Sequence, residues 1–178
     1  APLMVAGMLK CAERKWAEAV AAFERAESRL RGQEAGEDLF SASPELHYWF
    51  GVALDQMGEF QKSETQLRRA IQLKSDYHEA LNHLAYQWAE RGTNLAEAVD
   101  LSLRSLELRP EEPAYWDTLG WIYFKKGDLT NALHWVGRAA AQVHDPEIAD
   151  HMGDILWAMG REAEALEWWR RSLAADPG

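Results

Sequence analysis

The chain is poor in cysteine, in positive charge and in long apolar runs. Cys11 is the single cysteine in 178 residues, which excludes an internal disulfide and a cysteine-based zinc site and leaves the redox compartment open. Lys and Arg number 19 against 29 Asp and Glu, for a formal net charge of −10 at pH 7. General binding to nucleic acid or to an anionic membrane needs clustered basic side chains, so neither partner is expected. The deficit is uneven, because segments 78–112 and 146–178 each carry −4 while 113–145 is neutral. No apolar run approaches the ~18–20 residues of a membrane span, so no membrane insertion by this segment is expected. The stretch "AGMLKC" before Cys11 is not read as a lipidation signal, since Lys10 stands where a small residue is needed and "AERKWAEAVAAF" continues as helix.

What is present is a globular composition, 47% hydrophobic and 27% charged, carrying an internal repeat. "PAYWDTLGWIYFKKGDLTNALHW" (Pro113 to Trp135) returns as "PEIADHMGDILWAMGREAEALEW" (Pro146 to Trp168). Gly120 pairs with Gly153, Ile122 with Ile155, Gly127 with Gly160, Ala132 with Ala165 and Trp135 with Trp168, all at one constant shift. A fixed period of this size marks an array of stacked units. Each unit reads as two helices. In the clearest, Pro113 starts a helix over about Ala114 to Lys126, where a missing N–H costs nothing. Gly127 and Asp128 turn the chain, and a second helix runs from about Leu129 to Val143 before "HDP" (His144 to Pro146) stops it.

The unit resembles a tetratricopeptide repeat (TPR), a helix–turn–helix of about 34 residues. Trp116, Leu119, Gly120 and Tyr123 match the first-helix signature, and Ala132 and Ala139 the second, while Val136 stands where an aromatic is usual. About five units follow from the register: 1–30, 44–77, 78–112, 113–145 and 146–178, in one array over 1–178. Ser63 stands where alanine is expected, Lys10 and Arg14 depart from the pattern, and one residue is inserted near Thr93 and Asn94. A Gly-rich acidic insertion at 31–43 reads as a surface loop. The resemblance implies an all-α fold, a right-handed α–α superhelix. A narrower resemblance, carried by the insertion before Leu95, "DTLGW" (Asp117 to Trp121) and "DPEIADH" (Asp145 to His151), is to bacterial outer-membrane TPR lipoproteins that act as assembly platforms or protease adaptors. It implies the periplasmic side of the outer membrane; without it, the cytoplasm is the default.

No nucleotide-binding, hydrolase or zinc-protease motif is present, and no cofactor, metal or catalytic residue is expected. His78 and His83 are five apart, about 140° around a helix, so they do not share a face. Asp150, His151 and Asp154 cluster at helical spacing, but two monodentate carboxylates make a poor cation site.

In this fold one stripe of each first helix, spaced 3, 4, 3, lines the concave face of the array. That stripe holds Tyr48, Asn82, Tyr86, Asp117, Trp121, Phe124, Asp150, Asp154 and Trp157. Aromatics beside carboxylates suit an extended segment of another protein or peptide with apolar and basic side chains. The alternative for Phe124 and Trp157 is packing as core against neighbouring first helices. Trp121 and Asp117 are expected to face solvent. The clamp that captures a terminal carboxylate needs Lys, Arg and Asn on this stripe, and only Asn82 fits. Leu166, Trp169 and Leu173 are expected on an uncapped C-terminal face that would let the chain form homo-oligomers. The sequence thus reads as a non-enzymatic scaffold or adaptor. The alternatives are a structural, oligomerising segment of a longer bacterial TPR protein, or an accessory domain of an enzyme whose catalytic part lies elsewhere.

Overall fold

The computed structural model describes residues 2–32 and 43–175, and every regular element among them is a helix. The order is α1 (Pro2–Ala12), α2 (Trp16–Gly32), α3 (Pro44–Gln56), α4 (Phe60–Leu73), α5 (His78–Arg91), α6 (Leu95–Leu108), α7 (Pro113–Lys125), α8 (Leu129–Ala140), α9 (Pro146–Ala158) and α10 (Glu162–Ala175). Odd-numbered helices are the first of each pair. The insertion expected at 31–43 falls largely outside the described residues; Arg31 and Gly32 complete α2, and Ser43 caps α3.

The odd helices share a way of ending. After α7, Gly127 N donates to Phe124 O at 2.9 Å and Asp128 N to Tyr123 O at 2.9 Å, the paired bonds that close a helix through a left-handed residue. Gly127 has φ of 81°, and Gly58, Gly92 and Gly160 are likewise positive. At the α1–α2 turn the equivalent bonds run from Arg14 N to Cys11 O and from Lys15 N to Lys10 O, so Arg14, with φ of 56°, occupies the glycine position. Between Gly92 and α6 lies one residue more than at the turns after α3, α7 and α9, and Asn94 takes a left-handed conformation there.

Prolines Pro44, Pro113 and Pro146 open α3, α7 and α9. Asp145 accepts from Glu147 N and Ile148 N at the start of α9. α8 stops at Ala140, short of the expected Val143. Asp145 is extended ahead of Pro146, as a residue before proline prefers, and the chain needs 141–145 to reverse direction.

The helices of a pair touch closely at a small residue on the first. An added Cβ on Gly120 would meet Val136 Cγ2 at 2.5 Å, and one on Gly51 would meet Leu67 Cγ at 2.9 Å. The departures from the signature have local reasons. Ser63 is buried and its hydroxyl donates to Gly51 O at 2.8 Å. Val136 is the small partner that the approach to Gly120 admits.

The chain divides into two compact units, Ala1–His83 and Leu84–Gly178. The first has a core of Cys11, Phe23, Leu46, Phe50 and Leu54, with Phe23 and Phe50 rings 5.6 Å apart. Burial pushes the Cys11 thiol up to about 11, which keeps it an unreactive core side chain. The second unit packs Trp116, Leu119, Val136, Ile155 and Leu156, with the Arg138 guanidinium 3.8 Å from the Trp116 ring centre.

Candidate functional site

In the second unit the stripe of α7 is covered by its neighbours. Asp117 and Trp121, expected to face solvent, are each 5% exposed. The correction has a clear cause. Reading each helix alone gives the direction of a side chain but not what the adjacent first helices lay over it. Trp121 Nε1 donates to Glu90 Oε1 of α5 at 2.5 Å, and its ring stacks on His151 of α9, centroids 3.9 Å apart at 14°. Phe124, half-buried, stacks on the Trp121 ring at 4.8 Å. Lys125 Nζ lies 4.5 Å from the same ring centre, a cation–π contact.

Asp117 is paired with His151, whose Nδ1 lies 2.9 Å from Oδ2 and 3.1 Å from Oδ1. His151 is itself buried. Its burial favours the neutral ring, but the Asp117 bond and the charges of Asp117, Glu147 and Glu90 outweigh it and raise the pKa above the ordinary 6.5. Tyr86 of α5 donates its hydroxyl to Glu147 of α9. Burial first, then that bond, drives its phenol far above the usual range. Three first helices are therefore joined in a ring of polar contacts: α5 to α7 by Trp121 and Glu90, α7 to α9 by Asp117 and His151, α5 to α9 by Tyr86 and Glu147.

Sequence reasoning misses His151, Glu90 and Glu147 as parts of this arrangement. His151 follows Asp117 by close to one repeat, and that spacing is the available signal. Glu147 lies on the stripe but has no distinguishing neighbour in sequence.

The outer part of the stripe is open. Trp157 is 52% exposed, its ring 5.7 Å from Trp169. Asp154 accepts from Trp169 Nε1 at 3.3 Å, and Asp150 is exposed one turn before it. Neither aspartate has an ion-pair partner among the described residues. Burial, then the charge of Asp150, raises the Asp154 carboxyl above its ordinary range. Leu166 and Leu173 of α10 are exposed, whereas Trp169 is half-buried and packs on Gly153.

In the first unit the stripe contributes Tyr48, whose ring lies 5.2 Å from Tyr77 and edge-on to His83 at 6.3 Å. Burial, then the charge of Glu79, pushes its phenol up to about 12. His83 Nε2 is 3.1 Å from Asp55 Oδ2. Asn82 is half-buried, with Oδ1 lacking a hydrogen-bond partner among the described residues.

Among the described residues no group of three or more His, Cys, Asp or Glu side chains is placed to hold a metal ion, and no helix is long and apolar enough to cross a membrane. A depression beside Ala21, Glu24, Arg25, Ser28 and Arg29 is lined by α2 alone, so it offers no convergent set of groups for a cofactor.

The tetratricopeptide repeat profile matches residues 44–77. A TPR repeat-containing protein of Pseudomonas aeruginosa is 32% identical over 138 residues, a match that spans 78% of this chain and 23% of that protein. Among solved structures, a thermophilic TPR protein of Thermus thermophilus superposes with a TM-score of 0.77 at 19% identity, covering 99% of this chain and 91% of the other. The protein MamA superposes with a TM-score of 0.70 at 16% identity, covering 97% and 88%. At these identities the two structures speak to the fold alone.

Proposed function

Because this chain is a tetratricopeptide-repeat protein, we propose that it is a non-enzymatic scaffold that takes a basic and apolar segment of another protein on the first-helix face of its second unit. Proteins of this family are generally protein–protein interaction scaffolds and typically non-catalytic. The observation that carries the reading is Trp157, a large aromatic left half in solvent beside two carboxylates, Asp150 and Asp154, neither of which is ion-paired among the described residues. An exposed indole supplies contact area with little side-chain entropy to lose. Adjacent carboxylates attract Lys or Arg, and a bound cation would relieve the repulsion between them. Tyr86, Trp121 and Phe124 form the supporting wall of this face, while Tyr48 and Asn82 hold the corresponding positions of the first unit.

The test is calorimetric titration with a short amphipathic peptide of Arg and Leu, set against its Glu and Leu counterpart. The Arg peptide binds and the Glu peptide does not. Trp157→Ala weakens binding by at least ~1 kcal/mol, as loss of an aromatic anchor does. Asp150→Lys with Asp154→Lys weakens it further, with a loss that shrinks as salt rises. Equal binding by all variants would remove the site from this face.

A second reading places the same face within a longer polypeptide, in which these repeats serve as the interaction or assembly segment. It is favoured by the relative from Pseudomonas aeruginosa, of which the match spans only 23%. The mass of the endogenous polypeptide separates the two.

A further inference from the structure

His151 is the one histidine of the second unit that is both buried and ion-paired among the described residues, and the scaffold reading gives it no role. Its surroundings are crowded with charge. From α5 come Glu90 and Tyr86, whose ring lies 6.3 Å from the imidazole. From α7 come Asp117, in direct contact, and Lys125, over the Trp121 ring that stacks on His151. From α9 itself come Glu147, Asp150 and Asp154, and the His151 charge acts on Asp154 directly. α8 and α10 also pack on α9. On them Arg138 lies over Trp116, Arg171 lies over Trp168 and against Glu167, and His134 and Arg170 are exposed. Arg161, just before α10, pairs with Glu164.

The ring presents Nδ1 to Asp117. A neutral imidazole can keep its one proton on that nitrogen and donate the same bond. The charge can therefore leave without the contact being lost, and what changes is the electrostatic field at the aspartates one position before and three after. We propose that His151 sets the affinity of this face for a cationic segment: a proton on His151 and a cation at Asp150 and Asp154 oppose one another electrostatically. The inference rests on the partner-binding reading above and names its regulation.

Linkage makes the effect reciprocal. Deprotonating His151 strengthens binding of the cation, and binding the cation favours loss of the proton. The shifted ring keeps its proton past pH 6.5, so the face is weakest for a cation in acid and near-neutral solution and strongest above it. The effect is that of one screened charge–charge contact, about fivefold in affinity.

The probe is the Arg and Leu peptide, because Arg stays charged throughout the range. Its affinity is measured from below pH 6.5 upward, in buffers of different ionisation enthalpy. Binding about fivefold tighter at high pH, with proton release at intermediate pH, and a flat profile in His151→Gln, supports the inference. Binding that is independent of pH, or a rise retained in His151→Gln, overturns it and leaves the binding face intact. If His151→Gln does not fold, the His151 ring resonance is titrated in the wild-type protein with and without peptide, and an unshifted midpoint is equally fatal. No binding of the peptide at any pH overturns the binding reading, and this inference with it.

Discussion

Gly120 and Val136 approach so closely that no side-chain carbon fits between them. A Cβ on Gly120 would stand 2.5 Å from Val136 Cγ2, 2.8 Å from Val136 N and 3.1 Å from Ala132 O. Two of the three are backbone atoms, which cannot rotate away. Gly120→Ala therefore forces α7 and α8 apart and costs about 1–3 kcal/mol, the usual range for overpacking a core. Urea denaturation measures it, and an unchanged midpoint would show that the helices separate freely. Gly137, which faces open space, is the control: Gly137→Ala leaves the pair undisturbed and gains helix propensity.

Arg14 stands in a left-handed turn where four other turns have glycine. An L side chain is strained in that conformation, and the Arg14→Gly variant recovers about 1 kcal/mol of the strain. The expected outcome is a higher urea midpoint with an unchanged slope. A lower midpoint would mean that the extra freedom of glycine in the unfolded chain outweighs the relief.

Trp121 and Trp157 lie on the same stripe, yet their truncations should behave oppositely. Trp121→Ala empties a site between His151, Phe124 and Glu90 and costs about 3–5 kcal/mol, as for other buried tryptophans. Trp157→Ala changes a half-exposed residue and stays within about 0.5 kcal/mol. Thermal melts followed by circular dichroism compare them directly. Comparable losses in both would mean that Trp157 is also structural.

The Asp117–His151 pair gives stability a definite slope with pH. The folded-state pKa of His151 is raised above the ordinary 6.5. Its contribution is therefore fully present below pH 6.5 and disappears as pH rises through the folded-state value. Relative to His151→Gln, the wild-type protein is more stable at about pH 6 and loses that advantage at alkaline pH. Urea unfolding across this range reads the difference. Asp117→Asn should remove this slope and turn it toward the opposite sign, because burial, no longer outweighed by that anion, favours the neutral ring.

The helix pairs and their period are legible because the turn glycines, the helix-opening prolines and the small contact residues are each demanded by local geometry. Gly127 needs a positive φ, and Gly120 needs room. The ends of α7 fall close to the sequence expectation, whereas α8 stops short, where the chain turns after Ala140 and is extended at Asp145 ahead of Pro146. The stripe is legible as a direction and not as a surface. Nothing local to Trp121 states that Glu90 and His151 arrive on it, one from the repeat before and the other from the repeat after. The aspartate is equally opaque. Asp117 reads as a solvated acceptor because its partner is supplied by the next repeat.

Tyr86 and Glu147 touch across the whole of an intervening repeat. An array whose units meet only their immediate neighbours behaves as a one-dimensional chain and can fray from an end, one unit at a time. A bond that skips a unit breaks that independence. Peeling α9 and α10 away would also strip α5 of its hydroxyl acceptor and leave the Trp121 ring bare on one face, so the loss is felt two units inward. The second unit is thus expected to lose its amide protection against deuterium as a single block, with α5, α7 and α9 exchanging together rather than in order from the end.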